Sequence, residues 1–276
     1  MGRTSRRSHR RAKARLLLAV DIGNSSASFA LCDGDRIRRQ WRRPSQRPAT
    51  AAEIRADLAQ GDVGAGSGPL PAVVSSVAAV SVTEGWLATL AEAAGSPPVE
   101  VGGGASGGLL IAVREPGKLG PDRIANAVAA EWYYGAPVIV VDLGTCTTIT
   151  VVDAARRIVG GSIAPGVGLS LRTLTERTGK LPRVRPELPE DAVGPDTEQA
   201  ILSGVVFGTV GMVRELLGRI RAELGVEAPA VAAGGYARLI APLVTEMRET
   251  RADLTLQGLR LIWERSQRPA GPPRSP

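Results

Sequence analysis

A chain of 276 residues, 43% apolar and 22% charged, has the length and balance of a globular protein with one large domain or two medium ones. Its formal charge of +7 lies in residues 1–15 (Arg3, Arg6, Arg7, Arg10, Arg11, Lys13, Arg15), and the other 27 Lys and Arg balance 27 Asp and Glu. That distribution argues against a nucleic-acid-binding domain and for a like-charged, disordered tail, which alone offers a route to nucleic acid or anionic lipid.

The single histidine, His9, falls in that tail, which excludes Ser-His-Asp hydrolysis and most zinc chemistry from any folded site. Cys32 and Cys146 stand too far apart, without partners, for a disulfide framework or a zinc site. No apolar run approaches the ~20 residues of a membrane span, so the expected location is cytoplasmic, with no membrane partner.

Along the chain, Leu16–Val20 is a buried-strand run that ends in the turn Asp21-Ile22-Gly23-Asn24-Ser25-Ser26. An apolar stretch, Ala27–Cys32, follows; Asp33-Gly34 signals a two-residue hairpin, and Arg36–Trp41 is its return strand. After a polar loop, Ala51–Gln60 is helical, Ala72–Val77 a strand and Thr83–Ala94 a helix. Leu109–Val113 is a further strand, and Asp122–Tyr134 keeps helical spacing through Ala125, Val128, Ala129 and Trp132.

The opening pattern then recurs. Pro137–Val141 is a buried strand ending in Asp142-Leu143-Gly144-Thr145, followed by Ile149–Val152, a turn at Asp153-Ala154, and Arg157–Val159. At an offset of 121 residues, Val20, Asp21, Gly23, Arg36 and Ile37 match Val141, Asp142, Gly144, Arg157 and Ile158. Identities on one strand–turn–hairpin skeleton suggest two copies of one unit. Beyond it come a long helix over Thr197–Leu224, carrying Gly204, Gly208 and Gly211, a short strand Ala230–Ala233, and a helix over Arg238–Arg248. The end, from Ser266, is rich in Pro, Ser and Arg and is expected to be disordered.

The paired Asp-x-Gly turns carry the chemical signal. A carboxylate at a strand end can orient a cation, and glycine two residues later brings backbone N–H groups close to phosphate oxygens. One such turn alone is a common structural device; two facing each other would clamp a nucleotide from both sides. Gly120-Pro121-Asp122-Arg123 opens a helix, where Asp122 either complements the dipole or takes a proton from an attacking hydroxyl while Arg123 holds an anion. Asp196 or Thr197 either caps the long helix or contacts substrate; spacing does not separate these. No P-loop is present, and the Gly-x-Gly-x-x-Gly of Gly102, Gly104 and Gly107 precedes a strand where a dinucleotide site needs a helix.

The ordered set of Asp21–Ser25, Gly120–Arg123, Asp142–Thr148, Gly160–Gly166, Thr178–Pro182, Asp196–Glu198 and Ala233–Gly235 resembles the type III pantothenate kinases of the actin-like ATPase superfamily. The resemblance covers residues 16 to about 262. It implies an α/β fold of two duplicated ribonuclease-H-like domains, 16–124 and 125–265, between a basic tail (1–15) and a C-terminal tail (266–276).

It implies phosphorylation of pantothenate by ATP with Mg2+ and a monovalent cation, K+ or NH4+, and a homodimer with substrate near its interface. By position, Asp122 corresponds to the general base, and Asp21, Ile22, Gly23, Asn24, Ser25, Ser26, Ala27, Ser28 and Thr145 to ATP contacts. Gly120, Pro121, Asp122, Arg123 and Thr197 correspond to pantothenate contacts, and Asp142 to the monovalent-cation ligand. Thr150 stands where many members carry an aspartate, a change expected to bear on metal near the phosphates. The alternatives are a kinase for another small hydroxyl compound, or a catalytically weak paralogue acting as a nucleotide-binding regulator.

Overall fold

The computed structural model describes residues 16–267 apart from 62, 64–67 and 103–105. The basic tail with His9, Gly104 of the glycine-rich loop, and the chain beyond 267 lie outside the described residues.

Two sheets share one strand order. The first consists of β1 (Leu16–Ile22), β2 (Ser26–Asp33), β3 (Arg36–Pro44), β4 (Ala72–Ser76) and β5 (Val99–Glu100), ordered β3-β2-β1-β4-β5. β1, β2 and β3 form an antiparallel meander, and β4 and β5 add in parallel beside β1. The second consists of β6 (Leu110–Ile111), β7 (Val138–Leu143), β8 (Cys146–Val152), β9 (Arg157–Pro165), β10 (Ala230–Ala233) and β11 (Met247–Thr250), ordered β11-β10-β7-β8-β9-β6. Apart from β6 at its edge, it repeats the first in order and direction. β3 and β9 begin and end at the same offset of 121 residues, each ending on a proline. Each meander also carries a bulge near the same place, at Leu31/Cys32 and at Val151/Val152. This is the duplicated ribonuclease-H-like α/β architecture of the actin-like ATPase fold.

Strand periodicity divides the core into layers. In β1, Leu17 and Ala19 face a central layer, while Leu18, Val20 and Ile22 face α1 (Ala51–Ala59) and α2 (Val80–Ala94). In β7, Val138 and Val140 face the same central layer. Ile139, Val141 and Leu143 face α4 (Val167–Arg177), α5 (Thr197–Leu224) and the short α6 (Ala237–Ile240). The central layer is made by α3 (Pro121–Tyr134) and α7 (Leu254–Ser266), which pack on each other and on both sheets. α3 runs unbroken across position 124, and β6 pairs with β9.

Several sequence expectations change in the fold. The expected helix over 238–248 stops at Ile240 and gives way to a 3-10 turn, Ala241–Leu243, and then to β11. Pro242 has no N–H to continue the helical ladder. The Asp33-Gly34 hairpin turns on Gly34-Asp35, with Gly34 at φ +58° and Asp33 paired with Arg36. α7 is buried over most of its length, Gln257 and Arg260 included, because it sits between α3 and the first sheet. The expectation that no segment has the length of a membrane span also changes. α5 has 28 residues with a mean hydropathy of 1.6 over its most apolar window, long and apolar enough by that measure alone. Its Val206, Val210, Val213 and Leu217 are buried in the core on the second sheet, and its glycines lie on the opposite face.

The closest helix contact is at Gly258 of α7, where a side-chain carbon would lie 1.9 Å from the carbonyl oxygen of Ala125 in α3. Gly258→Val is therefore expected to lower unfolding stability by about 3 kcal/mol or more through overpacking. Gly218→Ala, where a side-chain carbon meets nothing within 4 Å, should gain roughly 0.5–1 kcal/mol from helix propensity. Urea unfolding of both variants checks the contrast; equal midpoints would show that the α3–α7 contact yields freely.

Candidate active site

Asp21 and Asp142 have the same parity as the central-layer residues of β1 and β7, so both carboxylates emerge on the side where the two halves face each other. They lie at the floor of a cleft of about 700 Å3 between the halves. The turn after each strand is closed by the N–H of its glycine, over three residues in the first and two in the second. Gly23 N–H donates to the Ser26 carbonyl at 3.0 Å, and Gly144 N–H to the Cys146 carbonyl at 3.1 Å. The two turns meet, with the Ser25 and Thr145 hydroxyl oxygens 3.3 Å apart.

Each carboxylate is held from its own half. Asp21 Oδ1 accepts from Ser75 Oγ at 2.6 Å, and Asp142 Oδ2 accepts from Asn126 Nδ2 at 2.9 Å. Asn126 is itself oriented by the Thr255 hydroxyl, which donates to its Oδ1 at 2.8 Å. Gly234, at φ +90°, passes so close that a side-chain carbon would lie 2.4 Å from Asp142 Oδ1. Only glycine fits that turn.

The third carboxylate, Asp122, stands in the first turn of α3, whose N-terminus opens into the cleft. Its Oδ1 accepts from Arg123 N–H at 2.8 Å, and a side-chain carbon on Gly120 would lie 2.5 Å from that oxygen, so glycine lets the carboxylate fold back. Arg123 is anchored to the second sheet: Nε donates to Thr150 Oγ1 and Nη2 to the Ile149 carbonyl, each at 2.9 Å. Gly161, at φ +147°, leaves room there, since a side-chain carbon would lie 1.8 Å from the Ile149 carbonyl oxygen.

Burial together with mutual repulsion sets the electrostatics. Burial pushes the Asp21 carboxyl up to about 7; the Ser75 hydrogen bond and the Arg42 charge offset part of this, while Asp122 and Asp142 add to it. Asp142 rises to about 6 by burial and by the Asp122 charge, against the Asn126 hydrogen bond and Arg42. Asp122 is raised by burial, countered by the N–H and guanidinium of Arg123. Burial lowers Arg123, though a guanidinium remains charged. Among the described residues, no three His, Cys, Asp or Glu side chains converge to cage a metal.

Of the residues expected from sequence, Asp21, Gly23, Asn24, Ser25, Ser26, Ser28, Gly120, Asp122, Arg123, Asp142 and Thr145 line this one cleft. Ile22 and Ala27 face the opposite side, fully buried in the first core. Pro121 supplies the first residue of α3, and Thr197 is exposed at the start of α5, capped by Asp196; neither is in the lining. Thr150 is 2% exposed and accepts from Arg123 Nε, so its hydroxyl bears on how that guanidinium is held. Sequence reasoning missed Arg42, Ser75, Asn126 and Thr255. Only Asn126 left a signal, four residues after Asp122 on the same helix face.

Three carboxylates around one cleft, two on matching turns that touch, define this as a duplicated nucleotide-cleft protein of the actin-like ATPase class. The sequence profile of the type III pantothenate kinase family matches residues 17–219. The chain is 41% identical over 262 residues to the type III pantothenate kinase of Thermomicrobium roseum, covering 93% of this chain and 100% of that one. It is 39% identical over 258 residues to that of Brevibacillus brevis, covering 91% and 100%. The chain belongs to the type III pantothenate kinase family. Among solved structures, a conserved Baf family transcriptional activator from Campylobacter jejuni superposes with a TM-score of 0.59 at 18% identity, over 90% of this chain and 98% of that one. An ethanolamine utilization protein from Carboxydothermus hydrogenoformans gives 0.52 at 15% identity, over 89% of each. These two likenesses concern the fold alone.

Raised carboxylates make a stability prediction with a definite sign. Asp21 and Asp142 hold protons more tightly folded than unfolded, so stability from these groups is greatest below pH ~4 and is lost as pH rises through about 6 to 7. Asp21→Asn and Asp142→Asn should therefore melt a few degrees above the parent at pH 8 and show little gain at pH 4.5. Thermal melts of the ligand-free protein at both pH values decide this; a gain no larger at pH 8 would remove the buried-charge account.

Proposed function

We propose that this protein transfers the terminal phosphoryl group of ATP to the hydroxyl group of pantothenate, the first step toward coenzyme A. The supporting observation is the meeting of the Asp21 and Asp142 turns across one cleft, with the Asp122–Arg123 helix start at its floor. The N–H groups and hydroxyls of Gly23–Ser26 and Thr145 are arranged to hold phosphate oxygens from both halves. Asp122 takes the proton of the attacking hydroxyl, and its raised pKa brings it toward the neutral range where a general base works best. Arg123, with Nη1 free of hydrogen bonds among the described residues, holds the anionic group of pantothenate. The alcohol oxygen–phosphorus bond forms as the bond to the β,γ-bridging oxygen breaks, and the electron pair leaves on ADP.

The donor set fits hard cations. Asp142 keeps Oδ1 free of hydrogen bonds, is short of neutralising charge, and is suited to K+ or NH4+. Mg2+, which keeps waters and phosphate oxygens as ligands, needs no protein cage, and Asp21 is the carboxylate nearest the first phosphate turn. Bound there, these cations would neutralise charge on the phosphates. The division of the chain into 16–124 and 125–265 belongs to this proposal, supported by the repeated strand order. So does a homodimer in which the exposed Thr197 contacts pantothenate and the open glycine face of α5 meets its counterpart. A cytoplasmic location is supported by two free cysteines and by the cellular compartment of ATP.

Incubation with ATP, Mg2+ and pantothenate, with and without K+, should give phosphopantothenate by mass spectrometry only when K+ is present. Asp122→Asn should lose ~10²–10⁴-fold in kcat with an unchanged melting curve. Normal turnover by that variant would remove Asp122 as the base. Product formation independent of monovalent cation would remove that role from Asp142.

A further inference from the structure

The cleft lining contains four cationic side chains: Arg42, Lys118, Arg123 and Arg172. Lys118 is paired with Glu115 at 2.6 Å, and Arg123 is anchored to Thr150 and Ile149. Arg42 and Arg172 have no ion pair or hydrogen bond among the described residues. They differ in what they face. Arg172 stands on α4 at the outer wall, whereas Arg42 projects from β3 opposite Ser28 of the first phosphate turn's strand. The Arg42 charge is felt by both Asp21 and Asp142, lowering each. Yet no carboxylate oxygen of the described residues lies within 4.0 Å of it.

Its far end reaches the other half of the molecule. A side-chain carbon on Gly235 would lie 3.7 Å from Arg42 Nη1, and the neighbouring Gly234 is the residue that touches Asp142. Arg42 thus spans from β3 to the Gly234–Gly235 turn, above the two buried carboxylates. Arg42 lines the same cleft as Ser25 and Thr145, whose hydroxyls mark where the two phosphate turns meet.

We propose that Arg42 is a further catalytic residue, whose guanidinium binds the terminal phosphoryl group of the nucleoside triphosphate and balances the charge on its oxygens during transfer. This rests on the kinase reading given above. During transfer the bond from phosphorus to the β,γ-bridging oxygen breaks, the bond to the acceptor oxygen forms, the acceptor proton goes to Asp122, and the leaving electron pair stays on the diphosphate. Charge develops on the equatorial oxygens and on the bridging oxygen, and a planar fork of donors suits two of these at once. Because Arg42 bridges the halves, the same contact favours the closed cleft when a triphosphate is bound, and is missing with a monophosphate.

The test compares Arg42→Ala, Arg42→Lys and the strand control Arg38→Ala, which lies on β3 outside the cleft lining and pairs with Asp33. Arg42 is exposed on its strand, so truncation should leave the melting curve intact. In the pantothenate assay, Arg42→Ala should lose ~10²–10³-fold in kcat. By calorimetry it should bind the β,γ-imido analogue of ATP at least tenfold more weakly, with AMP affinity within about twofold of the parent. Arg42→Lys should recover analogue binding more than turnover, since a lysine supplies charge without the fork. Arg38→Ala should match the parent in every readout. Turnover within about threefold of the parent together with unchanged analogue affinity in Arg42→Ala would overturn the proposal. So would equal losses for the analogue and for AMP. If the parent makes no phosphopantothenate but binds the analogue, the pantothenate reading falls, and the analogue-against-AMP comparison still decides the role of Arg42.

Discussion

Three carboxylates, Asp21, Asp122 and Asp142, are brought to the floor of one cleft and buried there, with no ion pair to any of them among the described residues. Burial raises all three, and their mutual repulsion raises Asp21 and Asp142 further. Like charges held this close are costly unless something cationic or proton-donating joins them. The surroundings offset part of the cost from each side: Ser75 for Asp21, Asn126 with Thr255 for Asp142, and the Arg123 N–H for Asp122. The remainder is what a cation and a proton-bearing substrate would relieve, and it ties the electrostatics of the ligand-free molecule to its chemistry.

That arrangement depends on the central layer. α3 supplies Asp122, Arg123 and Asn126 from the start of one helix, and α7 supplies Thr255. α3 packs on strands of both sheets, α7 packs on α3 and on β1, β2 and β4, and Gly258 lets the two helices approach backbone to backbone. The strand parity that turns Leu17 and Ala19 toward this layer also turns Asp21 toward it, and the same holds for Val138, Val140 and Asp142. The apolar packing that holds the halves together and the polar floor of the cleft are therefore two stretches of the same pair of strands.

Glycines mark where backbones must pass close to this floor. Gly234 clears Asp142 and Gly161 clears the β8 backbone beside Arg123; at each a side chain would collide and the φ angle is positive. The buried Thr150 hydroxyl then accepts from Arg123 Nε. A neutral acceptor there leaves the Arg123 charge less compensated and freer to act on an anion in the cleft.

Local patterning determined a good deal about this protein. The duplication was legible in Asp21-x-Gly23 and Asp142-x-Gly144 at a constant offset, because strand runs, glycine turns and hairpins are set by nearby residues. Position at a helix start left Asp122 and Arg123 with two readings, dipole partner or proton acceptor and anion holder, between which family resemblance chose, and the structure brings both to the same cleft as the two turns. Other features were decided by contacts between distant segments. Ile22 and Ala27 lie next to phosphate-turn residues in the chain, but strand alternation sends them to the opposite core. α7 buries Gln257 and Arg260 along with its apolar residues because α3 and the first sheet cover it, and β11 replaced a helix where Pro242 interrupts the hydrogen-bond ladder. Ser75, Asn126, Thr255 and Arg42 are ordinary residues in their local contexts. They gain meaning only when β4, α3, α7 and β3 converge, since a hydrogen bond or a field across 16 to 129 residues of chain leaves no periodic trace in the sequence.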